Sequence, residues 1–313
     1  MNFKSKSHKW LIPLLAIAAC IIWGTPYKLL KLFYEELSIS KEALGSAYSG
    51  QILVAVSIRF FIAGILVLIF AKFRKQKIFK LNKKQWGQVL LMGLVSTAIS
   101  YVFFNIGNVN ITSSINASII GQSGIFFGVL LSCLFYKNEK FTLVKIIAFA
   151  LGVGGLIVSQ LDPANPFENP FGRFTLMGEG FMIIHGVCFA VATMIGKAVS
   201  SDLDSFVMTG WNLVLGSIIL SIIGMFMGGS LLMSWTLPAV GYLSLLAVAS
   251  AIPFSIWYWC TQYTEISKLS MYKFLIPVSG SVIGILFGED FTWTLGVALV
   301  LVCISIVMIS KAD

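Results

Sequence analysis

The 313-residue chain is 58% hydrophobic and only 11% charged, with a mean hydropathy of +0.91. Ordinary soluble domains carry about 25% charged residues, and a soluble interior grows too slowly with chain length to hide this much apolar surface. A water-soluble globular fold is excluded, the bilayer serves as solvent, and the Phe and Trp content (25 and 8 residues) suits spans and interfaces.

In chain order, windows of about 20 mostly apolar residues recur roughly ten times. MNFKSKSHKW leads into the first, which continues past the short apolar core of a signal peptide and ends without a cleavage box. Windows centre on residues 16–30, 53–71, 88–106, 114–136 and 143–160, then on 176–198, 206–227, 239–263, 269–287 and 295–310. The fold class expected is an all-α integral membrane protein of about ten transmembrane helices.

The formal net charge of +9 follows this frame. Lys4, Lys6 and Lys9 precede the first window, and Lys72, Arg74, Lys75, Lys77, Lys80, Lys83 and Lys84 crowd one short connection. Lys137, Lys140, Lys145, Lys197, Lys268 and Lys311 fall on the same side when the windows are counted off. Glu35, Glu36, Glu42, Asp162, Glu168, Glu289 and Asp290 fall on the other. This positive-inside bias predicts a multi-pass protein of the plasma (cytoplasmic) membrane with both termini cytoplasmic. A nucleic-acid partner is not expected, because no soluble basic face exists to meet one.

Residues 160–174, QLDPANPFENPFGRF, read as a linker rich in Pro and Asn. The segments on either side resemble each other. Aligning Gly124 with Gly280 also aligns Gly128 with Gly284 and, with a shorter loop, Glu139-Lys-Phe-Thr with Glu289-Asp-Phe-Thr. Trp23-Gly24 and Lys31 align with Phe189-Ala190 and Lys197 at constant spacing. The division expected is a first five-helix repeat over 1–160, an extracytoplasmic linker over 161–174 and a second repeat over 175–313. An odd number of spans per repeat sets the two in opposite orientations, with a substrate site near the midplane between them.

These features together identify a resemblance. Trp23-Gly24 in the first span, Arg59-Phe60 in the second, a span-turn-span ending in Glu139 or Glu289 in each half, and Ile276-Pro277-Val278 in the ninth resemble the drug/metabolite transporter superfamily, specifically its ten-span EamA type. The resemblance covers nearly the whole chain and implies export or import of small metabolites, often amino acids, by alternating access. Two departures stand out: Gly121-Gln122 where the family often has Pro, and a long first outer connection from Glu35 to Tyr48.

No GxxxxGK[ST] loop is present to bind ATP, so energy comes from a gradient, exchange or facilitated diffusion. No HExxH or GxSxG motif appears, so an enzyme is not expected. All five cysteines sit in apolar windows without CxxC spacing, and neither metal nor cofactor is implied. The partners expected are a small-molecule substrate and the lipid bilayer, the protein itself being a monomer or a homodimer.

Ionisable groups in spans are functional candidates, since each costs about 2.5–3.5 kcal/mol at mid-bilayer. Lys28 and Glu179 lie toward outer ends and can snorkel; Arg59 reads as an anchor or gate contact. Lys273 has two readings: a cytoplasmic-end lysine paired with Glu265, or a cation facing the cavity and holding a carboxylate or phosphate. His185 is a candidate for proton coupling, against a neutral, hydrogen-bonded role. Trp23, Tyr27, Tyr101, Asn105, Gln122, Trp211, Asn212, Trp257, Tyr258 and Tyr272 complete the substrate-binding candidates, competing with belt and helix-bridging roles. Pro277 is a candidate hinge, and the Gly124/Gly128, Gly224/Gly228 and Gly280/Gly284/Gly288 spacings predict close helix crossings.

The function expected is a secondary or facilitative carrier of a small polar metabolite, an amino acid or related compound, in the direction of export. The alternatives are a carrier of phosphorylated or other anionic solutes, a multidrug exporter, and a non-transporting receptor or scaffold.

Overall fold

In hydrocarbon each backbone N–H and C=O must find its partner within the protein, which confines single spans to helices. The computed structural model describes residues 8–135, 142–166, 174–200, 202–264, 269 and 271–311, and every regular element among them is helical. Among the described residues six helical segments are long and apolar enough to cross a membrane, and three shorter apolar helices stand beside them.

The first span is His8–Gly24 followed by Pro26–Glu36. It breaks at Thr25 because Pro26 has no N–H to give the carbonyl of Ile22; the Thr25 hydroxyl donates to that oxygen instead, at 2.8 Å. The second span is Tyr48–Phe73, reached through the short Lys41–Leu44 turn. The third runs from Lys83–Met92 through a wide π segment, Gly93–Ile99, into Ser100–Asn110. The fourth is divided at Gly121-Gln122 into Ser114–Ile120 and Ser123–Phe135. Leu143–Val158 is the fifth.

The second half begins with a π turn, Leu176–Gly180, leading into Phe181–Val199. Ser205–Phe226 and Leu237–Cys260 follow as the seventh and eighth spans. The ninth opens as a 3-10 turn, Met271–Phe274, and continues as Leu275–Leu286; Trp293–Lys311 is the tenth. Pro277 sits in the first turn of its α segment, where a missing N–H costs little.

Packing repeats between the halves. The first span packs on the eighth and ninth, and the sixth packs on the third and fourth. The second meets the seventh, and the fifth meets the tenth. Adding five to each span number, and wrapping past ten, reproduces the same set of neighbours. The equivalent second and seventh spans run antiparallel: Gly50 lies against Gly224 at one end and Gly64 against Gly210 at the other. The chain is therefore two inverted five-helix repeats.

Those crossings depend on missing side chains. A Cβ on Gly224 would stand 2.8 Å from the Gly50 carbonyl oxygen, and one on Gly64 would stand 2.8 Å from that of Gly210. Outward, Leu66, Phe70, Leu90, Ile146 and Val300 present apolar faces to lipid. Gly224→Leu is expected to destabilise the protein by about 1–3 kcal/mol or more, read as a lower melting temperature in detergent. Gly154→Leu, with nothing within 4 Å of the added Cβ, is expected to leave it unchanged.

Candidate functional site

Where the first, second, third, fourth, sixth and ninth spans meet, several buried polar side chains face a common, mainly apolar space. A small, partly open cavity there, of about 60 Å³, has room for a few waters. Larger clefts of about 240 and 570 Å³ also exist. Their walls are almost wholly apolar, and the larger includes the exposed Leu66, Phe70, Val248 and Ile252. Each of those clefts has one charged residue in its lining, Glu179 or Arg74, whereas Arg59 and Lys273 both line the small cavity.

Its aromatic wall starts at the break in the first span. Trp23, Pro26 and Tyr27 line it from there, and the Tyr27 hydroxyl lies against Gly121, at the break in the fourth span. Trp23 meets Phe189 edge-on, with ring centroids 6.2 Å apart. These two residues occupy equivalent positions in the sequence repeat, so the equivalent rings meet at the junction between the halves.

Three basic side chains, Lys273, Arg59 and His185, belong to the lining. Lys273, 6% exposed, places Nζ 4.5 Å from the centroid of Phe189 and 4.6 Å from that of Trp257. Desolvated cation–π contacts of this kind are worth about 2 kcal/mol each, yet neither supplies an anion. Glu265, its partner in one of the sequence readings, lies outside the described residues. Arg59, 1% exposed, donates through Nε to Ser250 Oγ at 2.7 Å and lies 4.8 Å from the Phe60 ring. Its Nη1 is buried with no hydrogen-bond partner among the described residues.

His185 Nδ1 lies 2.8 Å from Ser100 Oγ and 3.0 Å from the Ser100 carbonyl oxygen. Because a carbonyl only accepts, this pairing puts the proton on Nδ1 and leaves Nε2 of the neutral ring as an acceptor. The π segment that ends at Ile99 delivers Ser100 to that contact, in keeping with the habit of π segments to occur at functional sites. Gln122 donates to the Ser118 carbonyl at 3.0 Å.

Comparison with known proteins accords with this architecture. The EamA-like transporter family model matches residues 10–160 and again 176–311. The chain belongs to the EamA-like transporter family. An uncharacterized transporter of Bacillus subtilis, YvbV, is 28% identical over 93% of this chain and 88% of its own length. A WAT1-related chloroplast protein of Arabidopsis thaliana is 26% identical over 93% of this chain and 68% of its own. An uncharacterized transporter of Archaeoglobus fulgidus is 26% identical over 91% and 92%. A solved crystal structure shares the fold, with a TM-score of 0.66 at 15% identity over 97% of this chain and 96% of that one.

In this EamA-like chain, the cavity gathers six residues singled out from sequence: Trp23, Tyr27, Tyr101, Gln122, His185 and Lys273. Trp257 is packed behind them, against Lys273 and Trp23. The others stand elsewhere. Asn105 accepts from the Tyr34 hydroxyl at 3.0 Å and donates to the Tyr101 carbonyl, so its amide ties the first span to the third. Trp211 donates to the Ile78 carbonyl at 2.7 Å, beside Phe79 and Trp86. Asn212 accepts from Thr97 at 3.0 Å where the seventh span crosses the third. Tyr258 packs against Gly196, and Tyr272 lies half-buried in the 3-10 turn.

Sequence reasoning passed over Phe104 and Phe189 as ligands, and read Arg59 as an anchor or gate contact. The Ser250 bond is such an anchor, but Arg59 also lines the cavity. The signal available was the alignment of Phe189 with Trp23.

At the outer end, Glu289 ties its own connection to the start of the fourth span and to the first span. Its carboxylate accepts from Ser114 N at 2.8 Å, Ser114 Oγ at 2.7 Å and Ser113 Oγ at 3.2 Å, and pairs with Lys28 at 3.1 Å. Lys31 donates to the carbonyls of Ile111 and Thr112. Partial burial pushes the Glu289 carboxyl up, but the Ser114, Lys28 and Ile115 donors outweigh it and hold it below the ordinary carboxylate value. A carboxyl lowered on folding adds stability that is complete above its unfolded value and is lost as pH falls through the lowered one. Glu289→Gln is therefore expected to cost about 1–2 kcal/mol at neutral pH. The gap from wild type in detergent melting should close in acid, below the carboxylate range.

Proposed function

We propose that this EamA-like protein is a secondary carrier that moves a small polar metabolite across the plasma membrane by alternating access. Amino acids and related carboxylate-bearing compounds are the substrate class, and export is the direction. The observation behind this reading is the cavity at the junction of the two inverted repeats, where Lys273, Arg59 and His185 converge among aromatic walls. A few oriented polar groups set in an apolar lining are what a small-molecule site needs, and a repeat junction is where carriers keep theirs.

In this reading the substrate carboxylate meets Lys273, while Trp23, Tyr27, Tyr101, Gln122 and Trp257 shape the rest of the site. Nε2 of His185 is the proton acceptor if transport is proton-coupled. The repeats over 1–160 and 175–313 rock against each other across the Gly24–Gly280 and Gly124–Gly186 contacts, with the 3-10 turn before Pro277 as hinge and 161–174 as extracytoplasmic linker. The Lys28–Glu289 pair then closes the outer side. A lipophilic-cation exporter is disfavoured because no carboxylate lines the cavity among the described residues.

Two experiments test the proposal. Purified protein in proteoliposomes is expected to give saturable flux for at least one member of a broad panel of carboxylate metabolites, with Lys273→Gln reducing it about tenfold or more. Absence of saturable flux across the panel would reject a carrier. For orientation, in a background with the native cysteines replaced, an impermeant maleimide added to intact cells is expected to label Glu42→Cys and spare Lys77→Cys. The reverse pattern would place the termini outside.

A further inference from the structure

The cavity wall contains two buried cationic side chains and, among the described residues, no acidic one. Among the described residues, the Lys273 ammonium lies against the faces of Phe189 and Trp257 and in no ion pair, and Arg59 keeps Nη1 without an acceptor. A buried cation without an anion is costly, and a bound carboxylate relieves that cost through charge-assisted hydrogen bonds. A ligand ammonium would meet the opposite situation. Near it stand two like charges, and the neutral acceptors are limited to groups such as His185 Nε2 and the Gln122 amide oxygen.

We infer that the site selects small organic anions, 2-oxo and 2-hydroxy carboxylates with a compact apolar remainder, over the zwitterionic amino acids of the same skeleton. The inference rests on the carrier reading and narrows its substrate class. The carboxylate lies between Lys273 and Arg59, which act as the two arms of a clamp contributed by opposite halves of the chain. The oxo or hydroxyl oxygen falls toward the polar side, where Tyr101, Gln122 and His185 stand. The apolar remainder packs on Trp23, Phe104 and Phe189, all of which line the same space.

The pairing also explains a division of labour on Arg59. Its Nε is committed to Ser250 Oγ at 2.7 Å, which holds the guanidinium in place and leaves the other edge for a ligand. Lys273 has a long flexible stem between two rings, so it can follow the carboxylate. One fixed donor and one mobile donor suit a carrier, which must grip its ligand and then release it.

The test uses the full chain, purified in detergent, and matched probes on one compact skeleton: pyruvate, lactate, alanine and lactamide. Binding is followed by thermal shift, since a ligand of the native state raises its apparent stability, and by tryptophan fluorescence from the rings around the cavity. The 2-oxo and 2-hydroxy acids are expected to bind about tenfold or more tightly than the matching amino acid and amide. Lys273→Gln is expected to remove that preference, with Lys273→Arg retaining part of it.

Equal or tighter binding of the amino acid would overturn the inference while leaving the carrier reading intact, as flux in proteoliposomes would then be carried by the zwitterion. Binding by no probe would overturn it as well. Acid binding undiminished in both Lys273→Gln and Arg59→Gln would remove the clamp. If Arg59→Gln does not fold, Lys273→Gln, which forfeits no hydrogen bond among the described residues, decides the matter.

Discussion

At four crossings a side chain would have to occupy space held by a neighbouring backbone: Gly24 against the Ile276–Gly280 stretch, Gly124 against Gly186, Gly50 against Gly224, and Gly64 against Gly210. Lipid tails are as apolar as leucine, so burying apolar surface does little to hold one membrane helix against another. Contact area and hydrogen bonding must do it, and both grow as backbones approach. All four join spans of opposite halves, two of them through the repeat-equivalent second and seventh members. The other two, first on ninth and sixth on fourth, are equivalents of each other under the repeat. The inverted repeat is thus assembled around positions where Cβ is absent, and the cavity is the space those crossings enclose.

Within that frame the buried polar groups fall into two sets. Asn105, Gln51 and Trp211 spend their capacity on neighbouring spans and connections, and Asn212 accepts from Thr97 while its Nδ2 has no partner among the described residues. An amide in hydrocarbon costs free energy unless paired, and these pairings fix helix register. Lys273, Arg59 Nη1 and His185 Nε2 are the second set, drawn together from the ninth, second and sixth spans. Their unspent capacity is concentrated where a ligand can reach it. Breaks in the helices serve the same place: the Thr25–Pro26 step, the Gly121-Gln122 break and the π segment ahead of Ser100 all adjoin the cavity. At the outer end the opposite holds, since Glu289 gathers donors from Ser113, Ser114 and Lys28 and leaves little of its charge unanswered.

Much of this was legible in the chain before any coordinates. Apolar windows of the right length located the spans, because the hydrocarbon thickness sets a minimum length that local composition must meet. The internal repeat and the Trp23–Phe189 equivalence were visible because both halves bury the same crossing. Six cavity residues were also nameable, since polar or aromatic groups in an apolar window are few. Asn105, Trp211 and Asn212 satisfied the same criterion for a different reason. A residue type reports that a partner is needed, and it does not report whether the partner is a helix or a ligand.

The sequence by itself determined an all-helical membrane chain, two repeats of opposite orientation, and the short list of polar groups that such a chain cannot carry without purpose. These follow from local length, composition and periodicity. Only the tertiary structure decided which members of that list share a cavity, that Lys273 stands between two aromatic rings, and that Arg59 has one edge anchored and another open. Those outcomes depend on rotation and crossing of helices far apart in the chain, set by side-chain volumes on both partners at once. No single span carries that information.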